Sequence, residues 1–153
     1  MGQLRRTALV ALVAIAEACL SAQSPPKDAN VKVDNGEHPG QFSVSNAGAT
    51  PIDLSRKVTV ERAEAGKWIE TAALVNLVAS CEEKNLATTP RRFAAGEELK
   101  VAPWNGWGCN GQCPRACRSN YYLGPGQFRF VVRTADHKHH FEGAAFTLGP
   151  EPR

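Results

Sequence analysis

The chain has 153 residues, of which 42% are hydrophobic and 22% are charged, as in an ordinary globular domain that buries one core. The formal net charge is +3, and because Arg5, Arg6 and Glu17 together contribute +1, the chain after residue 18 carries +2. A charge this small argues against nucleic acid or an anionic membrane surface as the partner.

Residues 1–22 have the pattern of an export signal. Arg5 and Arg6 precede an apolar run over residues 7–16, and small residues follow it. The run is shorter than the ~20 residues that span a bilayer, and the alternative is a short buried helix. Cleavage after Ala22 would release a soluble protein. Cleavage after Ala18 would leave Cys19 at the N-terminus to carry a lipid, as in bacterial lipoproteins, with residues 23–30 as a linker.

Residues 31–149 alternate between apolar and polar in short runs that turn residues separate, which predicts strands. The first runs cover residues 31–33, 42–44, 52–54 and 58–60. Residues 72–79 fit either a central strand or two helical turns. We expect about seven or eight antiparallel strands in an all-β, immunoglobulin-like sandwich. The tail, residues 150–153, is expected to be frayed.

The clearest strand surrounds Phe128, Phe130 and Val132, which alternate with residues of the opposite face. The returning strand, residues 141–148, has a phase problem, because Phe141 and Phe146 cannot both face inward in a regular strand. One extra residue near Gly143 restores the phase, so we predict a β-bulge there. The predicted core comprises Phe42, Val44, Trp68, Phe128, Phe130 and Val132.

Residues 104–117 (WNGWGCNGQCPRAC) form the most unusual segment of the sequence. It holds three of the five cysteines and two of the three tryptophans, and its glycines and proline exclude a helix or a strand. Both signal cleavage sites would remove Cys19 from the pairing. An even set then remains for an oxidising compartment, comprising Cys81, Cys109, Cys113 and Cys117. The alternative is a four-thiolate zinc site, although no tight pair with two intervening residues is present.

Four cysteines allow three pairings, and three of them share one loop, so Cys81 must take one of the three. Joining Cys109 to Cys117 would close the loop and leave Cys113, at its apex, for Cys81. Joining Cys113 to Cys117 would instead form a smaller ring that contains a proline. We predict the pairs Cys81–Cys113 and Cys109–Cys117.

The tryptophans of this disulfide-pinned loop, Trp104 and Trp107, together with Arg115, are the predicted binding residues. An aromatic side chain in a rigid loop loses little entropy on binding. The alternative is that both tryptophans pack over the disulfides.

The histidines of the segment Asp136-His137-Lys138-His139-His140 are the other candidate site. Imidazoles one and three residues apart can bind copper or zinc weakly, and a polar hairpin turn without function has the same composition. No nucleophile motif, phosphate loop or paired carboxylate pattern occurs, so we expect no enzyme activity and no cofactor.

Three segments carry a resemblance to known proteins, namely residues 42–46 (FSVSN), 93–97 (FAAGE) and 124–130 (GPGQFRF). Their order resembles small bacterial export proteins with an immunoglobulin-like fold, including the BsuPI-type proteinase inhibitor domain. The cysteine loop and the ending FEG at 141–143 are closer to Cys-rich exported bacterial lipoproteins. The resemblance implies an envelope protein or, alternatively, a protease inhibitor. We predict a non-enzymatic envelope binding or structural module whose partner is a protein or another envelope component.

Overall fold

A computed structural model describes residues 29–82, 89–113 and 117–153. The predicted export signal with Cys19 lies outside the described residues, as do most of the linker and the predicted binding residue Arg115. Within the described ranges, no helix is long and apolar enough to cross a membrane.

The described residues form an all-β fold of antiparallel sheets without a helix, which confirms the predicted all-β, antiparallel class. Its eleven strands are short, and the pleated alternation of buried and exposed residues explains most of them. They are β1 (Val31–Asn35), β2 (Phe42–Asn46), β3 (Ile52–Leu54), β4 (Lys57–Glu64), β5 (Lys67–Glu70), β6 (Val75–Asn76), β7 (Arg91–Phe93), β8 (Glu98–Lys100), β9 (Gly126–Arg133), β10 (His140–Glu142) and β11 (Phe146–Leu148).

Two main sheets pack against each other. One has three strands in the order β1-β2-β8, and the other has six, with β10-β9-β4-β5 as its path, β11 beside β9 and β6 beside β4. Strands β3 and β7 form a separate pair. The inward faces of both main sheets supply one core, in which the rings of Phe42 and Phe130 stack with centroids 3.9 Å apart.

The predicted core is confirmed for every residue except Trp68. Phe128, Phe130 and Val132 are fully buried on β9, and Phe42 and Val44 are buried on β2.

The assignment of Trp68 to the core is wrong. Trp68 is only half-buried, and it pairs with Ala63 across the β4–β5 hairpin. Its ring lies under the guanidinium of Arg129, whose Cζ is 4.6 Å from the ring centroid. Arg129 alternates with the buried Phe128 and Phe130, so this ring covers the outer face of the sheet.

The bulge predicted near Gly143 is present. Strand β10 pairs Glu142 with Val131, and β11 then pairs Phe146 with Phe128, so three residues on one strand oppose two on β9. The Gly143 amide donates to the Phe130 carbonyl at 2.8 Å. The extra residue brings both halves of the returning strand onto the core.

The eleven strands exceed the predicted seven or eight. Two of the additional strands have clear physical reasons: the bulge divides the last predicted strand into β10 and β11, and β7 forms by pairing with β3. The ambiguous segment 72–79 forms neither a helix nor a full strand. Only Val75 and Asn76 are paired in a strand, while Leu77 and Val78 are buried outside any strand.

Candidate functional site

Two disulfides fasten the cysteine loop, with the pairing that the sequence analysis favoured. Cys81 is bonded to Cys113, and Cys109 is bonded to Cys117, with Cα separations of 5.3 and 6.2 Å. The first bond ties the loop to the segment after β6, and the second closes the loop on itself. All four sulfurs are engaged in these bonds, so the alternative of a four-thiolate zinc site is wrong.

Trp104 lies at the start of the loop and is buried in the core. Its side chain is 1% exposed, and its indole contacts Phe128, Phe130 and Phe146 edge-on, at centroid distances of 5.4, 6.2 and 6.4 Å. The prediction of Trp104 as a binding residue is therefore wrong. The aromatic cluster along β9 and β11 removes the indole from solvent, which stabilises the fold more than an exposed ring would.

The buried indole also orients the next turn of the loop. Its Nε1–H donates to the Trp107 carbonyl at 2.6 Å, so the polar edge of the ring is satisfied inside the protein. Gly111 packs against the Trp104 ring and the Trp107 carbonyl, and this position has no room for a side chain. A Cβ added there would overlap the Trp107 carbonyl and the Trp104 ring.

Gln112 provides a second, polar anchor that the sequence analysis missed. It is 8% exposed, and its amide group bonds both backbone groups of Asn76, the N–H and the carbonyl each at 2.9 Å. Its Nε2 also donates to the Ala102 carbonyl at 3.0 Å. The side chain thus gives the Asn76 N–H an acceptor where strand pairing stops, and it adds a second donor to the Asn76 carbonyl, which also accepts from the Val78 amide at 2.9 Å. A glutamine between two cysteines gives no sequence signal for this role.

The outer part of the loop is held by backbone pairing and by aromatic contact. Trp107 forms an isolated β-bridge with Tyr122, and their rings meet edge-on with centroids 5.9 Å apart. The Gly108 amide donates to the Tyr121 carbonyl at 3.0 Å. The Tyr122 hydroxyl donates to the Gly149 carbonyl at 2.9 Å, which ties this part to the end of β11. Burial and, secondly, the nearby Glu151 carboxylate raise the pKa of Tyr122, so its hydroxyl stays protonated.

We call Trp107, Arg118, Tyr121 and Tyr122 the loop surface. Tyr121 is 52% exposed, and in the described part of the chain it and Ile69 on β5 are the two exposed large hydrophobic residues. Trp107 and Tyr122 are half-buried, and Arg118 is exposed. The loop surface therefore presents three aromatic rings and a cation, from the disulfide-restrained loop and from residues 118–122, which directly follow it. Of the predicted binding residues, Trp107 lies on this surface, and its binding role stays a prediction.

The histidine segment forms a turn, and Asp136 organises it. Thr134 Oγ1 donates to Asp136 Oδ1 at 2.5 Å, and the Lys138 amide donates to the same oxygen at 3.1 Å. The Thr134 hydrogen bond is the main reason that the pKa of Asp136 lies below its ordinary value.

The predicted metal site of His137, His139 and His140 does not form. Throughout the described ranges, no three His, Cys, Asp or Glu side chains group as metal ligands. His137 is exposed at a left-handed turn position with φ of 59°, and His140 Nε2 lies 3.5 Å from Glu142 Oε1 on the outer face of the sheet. The described residues therefore hold no three-ligand group at this turn.

No family model, curated protein or solved structure matches this chain. The two disulfides remain informative about compartment, because such bonds persist in oxidising environments and are rare in the cytosol. They indicate an exported protein.

Proposed function

We propose that the chain is a non-enzymatic, exported binding module of the cell envelope, and that the loop surface contacts its partner. The partner would be a protein or another envelope component. One observation carries the proposal, namely that the loop is fixed internally by Trp104 and two disulfides while Tyr121 projects to solvent, 52% exposed.

Fixing the loop before binding favours affinity. Ordering a backbone residue costs ~1–2 kcal/mol, and a loop that is already ordered does not incur that cost again when a partner arrives. The buried amide of Gln112 and the Trp104 ring are satisfied inside the protein. Their hydrogen bonds therefore support the loop without competing for the partner.

The composition of the loop surface suits a binding surface. Tyrosine, tryptophan and arginine are the residues that contribute most to binding free energy at protein interfaces. Tyr121 is the most exposed of the rings, and Arg118 lies three residues before it. A tyrosine ring offers apolar area and a hydroxyl at low entropic cost, because it has only two side-chain torsions.

An intact mass of the native protein from its host distinguishes the two exported forms, soluble and lipid-anchored. Cleavage after Ala22 gives a soluble product that starts at residue 23. Cleavage after Ala18 with a lipid on Cys19 gives a heavier, membrane-anchored product. A mass equal to the uncleaved chain, with all cysteines reduced, would contradict export in either form.

The loop surface is tested by site-specific photo-crosslinking of the full chain in its host. A photoreactive phenylalanine analogue replaces Tyr121, and the matched control carries it at Lys32, an exposed position on β1. We expect one predominant crosslinked product from position 121 and none from position 32. Adding the substitution Trp107→Ala should remove that product, because Trp107 supports the same surface.

Equal crosslinking from both positions, or from neither, would contradict the proposal.

Protease inhibition, the other function that the sequence predicts, has a separate test. Stoichiometric loss of activity of a serine protease, with the loop left uncut, would assign the loop surface to an inhibitor instead. Under the present proposal, added protein leaves protease activity unchanged.

A further inference from the structure

The outer face of the six-stranded sheet carries a set of charged side chains from four strands. Register places Glu61 of β4 opposite Arg129 of β9 and Glu70 of β5. Strand β10 adds His140 opposite Arg133. Side chains opposite each other in an antiparallel pair share a face, so these groups lie on one surface.

Two cations on this face, Arg129 and Lys57, each have a carboxylate beside them. Arg129 lies between Glu61 and Glu142, with N–O distances of 2.7 and 2.5 Å. Lys57 Nζ lies 3.0 Å from Glu70 Oε1. Arg133, at the end of β9, is half-buried, and its guanidinium has no hydrogen-bond or ion-pair partner among the described residues.

A cleft of about 270 Å³ adjoins this unpaired guanidinium. It runs between the start of β4 and the turn that follows β9, and every residue that lines it has a polar or charged side chain. The lining residues are Ser55, Lys57, Thr59, Glu70, Arg133 and His137. Thr59 is 5% exposed, and Ser55 is held in place by its amide, which donates to the Arg133 carbonyl at 2.9 Å.

We propose that this cleft is a binding site for a small oxyanion, a carboxylate or phosphate group, with Arg133 as its principal ligand. A guanidinium presents paired N–H donors that match two oxygens of such a group. The hydroxyls of Ser55 and Thr59 can donate to further oxygens. A half-buried, unpaired arginine among otherwise paired charges is the feature that a bound oxyanion would complete.

The charge balance of the cleft sets the charge of the ligand. Lys57 and Arg133 contribute two positive charges, Glu70 contributes one negative charge, and His137 contributes none when neutral. One excess positive charge favours a monoanion. Because Lys57 is already paired with Glu70, the oxyanion should lie nearer to Arg133.

The experiment is a titration of the ¹⁵N-labelled exported chain with sodium phosphate and, separately, with sodium acetate, followed by amide chemical shifts. Sodium chloride at matched ionic strength is the salt control. We expect saturable shifts at Ser55, Thr59 and Arg133 with at least one of the two oxyanions, and no saturable shifts with chloride. The stronger of the two arms identifies the group as phosphate or carboxylate.

Arg133→Gln should weaken that binding at least about tenfold, because the paired charge-assisted hydrogen bonds are lost. Lys32→Gln removes one charge on β1 of the other sheet and should leave the affinity unchanged. Arg133→Lys keeps the charge without the paired donors, so its affinity should lie between those of the wild type and Arg133→Gln. If the glutamine variant does not fold, the lysine variant provides the test of Arg133. Absence of saturable shifts, or equal affinity in all variants, would overturn the proposal. Loop-surface crosslinking is a separate readout, so either proposal can fail alone.

Discussion

The inner and outer parts of the cysteine loop contain similar residues in opposite roles. Trp104 and Trp107 are three residues apart, and each is followed within two residues by a glycine. Trp104 is buried against three phenylalanines, whereas Trp107 is half-buried against Tyr122 alone. In this loop the buried side chain of Trp104 contributes the aromatic packing against the core, so Trp107 is left available for the surface.

The same contrast holds for polar groups and for disulfides. The inner part has Gln112 and the Cys81–Cys113 bond, which join the loop to distant chain segments. The outer part has the Cys109–Cys117 bond, which joins the loop only to itself. Inner interactions should therefore determine global stability, and outer interactions should determine local order.

The largest expected effect separates the two tryptophans. Trp104→Ala should lower the free energy of unfolding by ~3–5 kcal/mol, because it opens a cavity under the aromatic cluster. Trp107→Ala should cost only ~1 kcal/mol, the contribution of one aromatic pair. Urea unfolding of both variants, with disulfides intact, measures the difference. Equal losses would mean that the inner and outer parts of the loop do not differ.

The two disulfides give the next comparison. In the chain-entropy account, removing Cys81–Cys113 costs ~3.7 kcal/mol and removing Cys109–Cys117 costs ~2.6 kcal/mol, because the first closes the longer loop. Paired cysteine-to-alanine variants, compared by urea unfolding, test the order. A larger loss from the Cys109–Cys117 pair would contradict the assignment of global stability to the inner bond.

Gln112→Ala sharpens the comparison for hydrogen bonds. It leaves the buried N–H of Asn76 without an acceptor, while the Asn76 carbonyl keeps the Val78 amide as a donor, and it should cost ~1–3 kcal/mol. The outer counterpart is Asn120→Ala, which removes one acceptor from the Asn110 amide and should cost ~1 kcal/mol or less. Hydrogen exchange at Asn76 should rise in the first variant only. Unchanged protection there would contradict the anchoring role of Gln112.

The smallest effect concerns a turn that no disulfide fastens, the Asp136 turn. Hydrogen bonds from Thr134 and Lys138 lower the pKa of Asp136 below 3.8 in the folded state. Its contribution to stability is therefore present above the unfolded pKa and is lost as pH falls through the folded pKa. Asp136→Asn should remove this step from a series of melting temperatures between neutral pH and ~pH 2. An identical acid profile in both proteins would show that the turn does not depend on the carboxylate.

Alternation along the chain predicted the strands, most of the core and the bulge, because a strand has two faces and a phase error is visible in sequence. The position of Trp68 on the outer face of the sheet could not be predicted in this way. Alternation separates two faces without stating which one a second sheet covers, and β5 pairs with only one strand.

The candidate site was predictable in outline and not in detail. Cysteine count and spacing led to the disulfides, because loop closure constrains which pairs can meet. The burial of Trp104 depends on Phe128, Phe130 and Phe146, which follow it by more than twenty residues. The Arg133 cleft depends on strand register. Contacts between distant residues leave no local pattern in the sequence.

Disulfide mapping tests the central claim, a loop fastened inside by one bond and closed outside by another, most directly. Trypsin alone is not sufficient, since it leaves Cys109 and Cys113 on one peptide. Hydroxylamine should therefore also cut the Asn105–Gly106 and Asn110–Gly111 bonds of the unreduced, thiol-blocked protein. The account predicts that the fragment with Cys81 is linked to residues 111–115, and residues 106–110 to residues 116–118. A fragment with Cys81 linked to Cys109 or Cys117, or any free thiol among these four cysteines, would contradict it.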